Sequence, residues 1–214
     1  MASFTTIHKL GYVQDTVPES IFRKIKAETD PSTFDFGGKK YNSDLAGNLK
    51  KEYQYRPSAA LKGELSEYLR RLANYYWSQW GTLPPDFDIR KRNELDVDGE
   101  PLLDLWVNFQ SKHEYNPMHH HSGELSFVIW VSIPYDIKDE LAVFPEADSK
   151  TTATFNFCYP DHFSHGGLGI HTLAADRNWE GKIILFNASL QHCVYPFYTS
   201  DQYRISVSGN LGAK

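Results

Sequence analysis

From Leu102 onward the chain breaks into about eight short β-rich runs, with no helical stretch between most of them. The runs are Leu102–Gln110, Asn116–His121, Glu124–Pro134, Thr151–Tyr159, Leu168–Ala174, Lys182–Phe186, Gln191–Pro196 and Tyr203–Asn210. Turn residues separate most of them: Ser122-Gly123, Gly166-Gly167, Asn187-Ala188-Ser189 and Thr199-Ser200-Asp201. A parallel α/β sheet needs a crossover helix between strands, so this layout predicts a sandwich or jelly roll instead. The expected fold class is mainly β with supporting helices, a double-stranded β-helix.

The first half reads differently. Thr5–Val13 alternates weakly, as an edge strand does. Pro18-Glu19-Ser20 opens a short helix with Thr16 as its N-cap and Ile21, Phe22 and Ile25 as its apolar stripe. A longer helix is predicted from Ser58 to Trp80. Leu61, Leu65, Tyr68, Leu69, Leu72, Tyr76 and Trp80 recur at steps of three and four, and Gly81 follows as a C-cap. The stripe is a packing face, not a cofactor site. A single domain 1–214 is expected, with 1–100 as helical support and 101–214 as the jelly-roll core.

Composition narrows the function classes. Of 214 residues, 41% are hydrophobic and 14% aromatic, an ordinary globular balance rich in large core side chains. No apolar run reaches membrane-span length and no charged-then-apolar leader opens the chain, so a cytoplasmic protein is expected. The net charge is −5 and the densest basic run is Arg90-Lys91-Arg92, a solvated face; nucleic acid is not indicated as a partner. Cys158 and Cys193 lack zinc spacing and read as reduced core residues.

Three consecutive histidines, His119-His120-His121, sit in one predicted strand. Strand alternation sends His119 and His121 to one face and His120 to the other. Two imidazoles on one face can share a transition metal; the bland alternative is a polar surface strand. A second feature is Gly181-Lys182-Ile183-Ile184-Leu185-Phe186-Asn187-Ala188-Ser189-Leu190-Gln191-His192, an apolar strand, a small turn and a histidine. The third is Arg204-Ile205-Ser206. With Phe197–Asp201 as a hairpin loop, His192 would face Ser206, and Arg204 would lie one side-chain step away on the same face. A buried arginine there calls for an anion, and a dicarboxylate that chelates the metal at one end would supply it.

In this order, His-x-His, Gly-x5-Asn-x-Ser-x2-His and Arg-x-Ser, the residues resemble the 2-oxoglutarate- and Fe(II)-dependent oxygenases. Trp106-Val107-Asn108-Phe109-Gln110, Asn116 through Gly123, Ser126-Phe127-Val128-Ile129-Trp130 and Ile133-Pro134-Tyr135 are similar to oxygenases encoded by tailed phages of cyanobacteria, which would place the protein in the host cytoplasm. The resemblance covers about half the chain, roughly Leu102 to Leu211. It implies Fe(II) on His119 and His192 plus one further ligand, with Arg204 and Ser206 on the far carboxylate of 2-oxoglutarate and Asn108 also touching this co-substrate. Molecular oxygen would be consumed, succinate and carbon dioxide released, and an unidentified substrate hydroxylated. The family's usual third ligand is a carboxylate. Here His121 stands in its place, and Glu124, turned inward by a bulge at Ser122-Gly123, or water are the alternatives. Two other readings share the jelly roll: a cupin-type metalloprotein, in which Arg204 has no role, and a non-enzymatic binding protein. His162 and His165 would form a second metal site or, more simply, belong to a glycine-rich loop at the mouth of the site.

Overall fold

The computed structural model describes residues 10–79, 104–161 and 167–212. Ten strands and three helices occur among them: β1 (Tyr12–Thr16), α1 (Glu19–Glu28), β2 (Glu52–Gln54), α2 (Ala59–Ser78), β3 (Asp104–Gln110), β4 (Asn116–His119), β5 (Leu125–Ser132), α3 (Ile137–Leu141), β6 (Phe155–Pro160), β7 (Leu168–Leu173), β8 (Lys182–Asn187), β9 (His192–Val194) and β10 (Arg204–Leu211). A sheet of order β1-β8-β5-β10-β3-β2 faces a second of order β4-β9-β6-β7. Every strand pairing is antiparallel, and from β3 onward most successive strands change sheet. This is the jelly roll expected from the run of short strands.

Alternation along the strands decides the layers. Leu105, Val107 and Phe109 of β3, Ile129 of β5, Ile183 and Leu185 of β8, and Ile205 and Val207 of β10 share one core with Leu61, Leu65 and Leu69 of α2 and Ile21 and Ile25 of α1. The helices thus cover the outer face of the larger sheet. The opposite face of the same strands carries Trp106, Asn108, Gln110, Arg204, Ser206 and Ser208, which line the interior between the sheets. Most of these are polar, so β3 and β10 are apolar toward the helices and largely polar toward the barrel. Phe155, Phe157 and Phe186 close the far part of the barrel in a second apolar cluster.

Several boundaries differ from expectation. Thr16 is not an N-cap: it ends β1, and α1 starts after Pro18 with no side-chain cap. Extended backbone at Pro18 (ψ 133°) starts the helix instead, and the Val17 amide remains tied to the Gly181 carbonyl at 2.8 Å. The edge strand lies at Tyr12–Thr16, and the start of the Thr5–Val13 run lies outside the described residues, as do Trp80, Gly81, Arg90-Lys91-Arg92, His162 and His165. Thr151–Thr154 forms a turn, with Ala153 at φ 62°, before β6 begins at Phe155. The region before Leu102 is more than helical support: β1 and β2 complete both edges of the larger sheet. Cys158 and Cys193 are free thiols on β6 and β9, Cys158 buried and Cys193 partly so.

The predicted hairpin between the last two strands is absent. β9 pairs with β4 and β6, whereas β10 pairs with β3 and β5, so His192 does not face Ser206. The segment after β9 crosses from the smaller sheet to the larger. His192 and Arg204 meet across the barrel interior rather than along one sheet.

Candidate metal centre

His119 and His192 are direct partners in the β4–β9 ladder, which places their rings 4.3 Å apart, centre to centre. His121 follows the end of β4, where its amide donates to the Ala188 carbonyl at 2.9 Å. Its ring lies 4.9 Å from that of His119 and 5.0 Å from that of His192. One nitrogen from each imidazole falls within 4.8 Å of the others. A metal at about 2.1 Å from each nitrogen would draw the three closer together. His120 points outward and is exposed, as strand alternation requires.

Two backbone carbonyls set the tautomers. Nδ1 of His119 donates to the Pro117 carbonyl at 2.7 Å, and Nδ1 of His192 donates to the Leu190 carbonyl at 2.9 Å. Each bond fixes the proton on Nδ1 and leaves the Nε2 lone pair free, the arrangement a metal-binding histidine takes. His121 instead packs against the Trp106 indole at 5.3 Å. Burial, first of all, lowers the proton affinity of all three. His121 is pushed down to about 3, and His192 lies well below its ordinary value. The positive charge that each would place on its neighbours adds to the effect, so the cluster is neutral and ready to bind metal at pH 7.

A stability consequence follows. Below pH 6.5 the unfolded chain protonates these imidazoles while the folded chain resists, so stability present above pH 6.5 is lost on acidification. Glu52 has the opposite sign. Burial, then the charge of Glu114, raises it to about 7, against a lowering hydrogen bond from Asn42. Its contribution is full below its unfolded value and lost as pH rises through about 7. Net uptake on unfolding is then at most two protons between these limits. The metal-free protein should lose up to roughly 3 kcal/mol per pH unit between about pH 6 and 5. Urea midpoints measured across that range test this, and a flat profile contradicts it.

The candidate carboxylate ligand is not part of the cluster. Gly123 adopts φ 97°, yet among the described residues the group that could hold a metal is His119, His121 and His192 alone, without Glu124. The donor set suits iron with open positions, although it lacks the carboxylate of the usual triad.

Arg204 faces the same cavity from β10 and is 5% exposed. Its Nε and Nη2 donate to Gln110 Oε1 at 3.1 and 2.6 Å. Nη1 donates to the Tyr135 hydroxyl at 2.7 Å and the Ala153 carbonyl at 3.0 Å, and Nη2 also to the Tyr195 carbonyl at 3.3 Å. All these acceptors are neutral, and no carboxylate pairs with Arg204 among the described residues. The guanidinium is held in place with its charge uncompensated. Ser206, one inward step along β10, and Asn108, its partner on β3, line the same wall; Asn108 Nδ2 lies 3.4 Å from Ser206 Oγ.

A family described as "Putative 2OG-Fe(II) oxygenase" matches residues 104–210, half of the chain. The chain belongs to this 2OG-Fe(II) oxygenase family. It is therefore a non-haem iron dioxygenase that uses Fe(II), 2-oxoglutarate and molecular oxygen. The cupin-type and non-enzymatic readings are set aside by the same match. A Pseudomonas putida prolyl-4-hydroxylase has the same fold, with a TM-score of 0.55 at 12% identity over 96% of this chain and 94% of that one. A 2OG-Fe(II) oxidoreductase from Burkholderia pseudomallei aligns over 59% of this chain and 53% of its own, with a TM-score of 0.36 at 17% identity. No curated protein matches the sequence. Among the described residues no helix is long and apolar enough to cross a membrane.

Sequence reasoning passed over Gln110 and Glu52. Gln110 follows Trp106 and Asn108 at a spacing of two, so alternation alone would have turned it inward. Glu52 stands on a strand of three residues, too short to show a period.

Proposed function

We propose that His119, His121 and His192 hold Fe(II), and that Arg204, with Ser206 and Asn108, holds the far carboxylate of 2-oxoglutarate. The observation that carries this is the pairing of two unmet needs in one cavity. Three neutral imidazoles converge without a carboxylate, and a buried guanidinium lacks an anion. A 2-oxo dicarboxylate answers both, with its oxo-acid end on the metal and its other end taking the place of a neutral acceptor, such as the Tyr195 carbonyl at 3.3 Å, on the guanidinium.

Bound iron supplies the oxidation, in which 2-oxoglutarate is split to succinate and carbon dioxide while one oxygen atom goes to the substrate. The protein's own groups do the positioning. Gln110 and Tyr135 keep Arg204 aimed at the cavity, and the Pro117 and Leu190 carbonyls keep the imidazoles in their binding tautomer. Phe155 stacks on His192 at 13° between ring planes and keeps bulk water from one side of the site. An all-histidine set leaves the metal one unit more positive than a set with one carboxylate, which strengthens its pull on the anionic co-substrate. Hydroxylation is the reaction named for the Pseudomonas putida protein of the same fold, and we assign it here.

The stretches from Trp106 to Gly123 and from Ser126 to Tyr135 support placing the chain with oxygenases of cyanobacterial tailed phages, acting in the host cytoplasm on an unidentified substrate. The shared core of α1, α2 and the larger sheet supports one folding unit for the whole chain. The central test is anaerobic titration of the metal-free protein with Fe(II) and 2-oxoglutarate. A weak visible charge-transfer band should appear only when both are present. No band with both at saturation overturns the reading.

A further inference from the structure

Glu52 lies on the wall of the same cavity, and its carboxyl is almost unused. It is 1% exposed and its register partner on β3 is Asn108, which in turn faces Ser206 on β10. Glu52, Asn108 and Ser206 therefore form one inward-facing row across three strands. Oε2 accepts a hydrogen bond from Asn42 Nδ2 at 3.2 Å, while Oε1 accepts none among the described residues. No lysine or arginine pairs with Glu52 among them.

A second acceptor converges on the same spot. Asn116 Oδ1 is buried and has no hydrogen-bond partner. A methyl group built on Gly47 would come within 2.4 Å of Glu52 Oε1 and 2.8 Å of Asn116 Oδ1. The two oxygens therefore lie within about 5 Å of each other, close enough for one nitrogen to donate to both at ~2.9 Å. Gly47, Glu52 and Asn116 all line the cavity that holds the histidines. Glycine at position 47 lets both oxygens approach the backbone closely, where a side chain would push them apart.

Charge tells what belongs there. Two strands and one side-chain step separate Glu52 from Arg204, about 12 Å between Cα atoms by sheet spacing, and the guanidinium is turned to Gln110, Tyr135 and the Ala153 carbonyl, so the two do not pair. Arg204 meets the co-substrate's anionic end, and Glu52 is left for the other molecule in the cavity. Once ionised, above the value of about 7 to which burial raises it, Glu52 beside a partnerless amide oxygen offers acceptors and no donor, and a cation bearing several N–H groups would satisfy both and favour that ionised form.

We propose that the substrate carries a protonated amine or guanidinium group, and that Glu52 and Asn116 bind it beside Gly47. This rests on the oxygenase reading and deepens it by naming the substrate class.

The test uses the full chain loaded anaerobically with Fe(II) and 2-oxoglutarate. n-Butylammonium and n-butylguanidinium are titrated calorimetrically, with n-butanol as the neutral match. At least one cation should bind tenfold or more tighter than butanol. Glu52→Gln should remove that preference without changing butanol binding. Gly47→Ala, which pushes the two oxygens apart, should weaken the cation as well and serves as the second variant if Glu52→Gln does not fold. No cation preference in the wild type, or one that survives both substitutions, overturns the proposal. The charge-transfer band separates the two readings: its absence from wild type defeats the oxygenase site, whereas its presence without a cation preference defeats only the substrate assignment.

Discussion

A His192→Ala variant is expected to bind Fe(II) at least about a hundredfold more weakly, a loss of roughly 3 kcal/mol, and to form no chelate band with 2-oxoglutarate. His192 is the most buried of the three imidazoles and the one that β9 brings directly opposite His119. Its loss leaves two ligands, which cannot fix a metal on one side and keep the remaining positions open. The ring also fills space among Phe155, Phe157 and Phe186, with centroid distances of 5.4, 6.4 and 5.0 Å. Truncation to alanine therefore opens a cavity and lowers stability by an additional few kcal/mol, on the order of other large-to-small core changes. His192→Leu separates the two effects, because it fills the aromatic niche and offers no nitrogen. It should fold and still lose the metal. His120→Ala is the matching control: its ring is exposed on the other face and should be dispensable. Metal content after purification and the anaerobic titration together check the set. Retention of iron by His192→Leu, or its loss from His120→Ala, would mean that the strand presents its other face to the metal.

That the same face of one strand carries His119 and His121 was legible in the sequence, because strand side chains alternate whatever the strand pairs with. The inward aim of Arg204 and Ser206 was legible for the same reason: Ile205 and Val207 between them demand the apolar core under the helices. Pairing was not legible. Adjacent strands joined by a short loop suggest a hairpin, but in a jelly roll the chain changes sheets at such a loop, and β9 and β10 never share a ladder. The error misread how the strands carrying His192 and Arg204 pair, since the cavity is bounded by both sheets. The edge strands were obscured for a different reason: β1 was expected at Thr5–Val13 rather than Tyr12–Thr16, and β2 was not expected at all. They are short and lie among helical and irregular segments, and they acquire meaning only once β8 and β3 are in place beside them. Glu52 was hidden with β2. Nothing in a lone glutamate after two lysines marks it as buried, because its burial is imposed by the register with Asn108.

Arg204→Met should separate co-substrate binding from metal binding more sharply than any other change. The guanidinium is fixed by Gln110, Tyr135 and two carbonyls, and among the described residues no carboxylate pairs with it. Removing one partner of a buried, hydrogen-bonded charge pair costs roughly 2–5 kcal/mol of binding, so affinity for 2-oxoglutarate should fall at least about thirtyfold. Fe(II) affinity should remain, since Arg204 belongs to the larger sheet and all three imidazoles lie on or beside the smaller one. The stability of the free variant should change much less than the lost charge suggests. Methionine relieves the desolvated cation while leaving Gln110 Oε1 and the Ala153 carbonyl without their donor, and these effects oppose each other. Thermal midpoints give a direct readout. At a hundred times its dissociation constant a ligand adds about 2.7 kcal/mol, worth some 5–10 °C for a domain of this size, and the variant should lose that rise at the same concentration. The decisive comparison replaces 2-oxoglutarate with 2-oxobutyrate, which keeps the chelating end and lacks the far carboxylate. Wild type should strongly prefer the dicarboxylate, and Arg204→Met should bind the two alike. If the variant kept the preference, the far carboxylate would have to be held elsewhere in the cavity, and the unbalanced charge on Arg204 would need another anion.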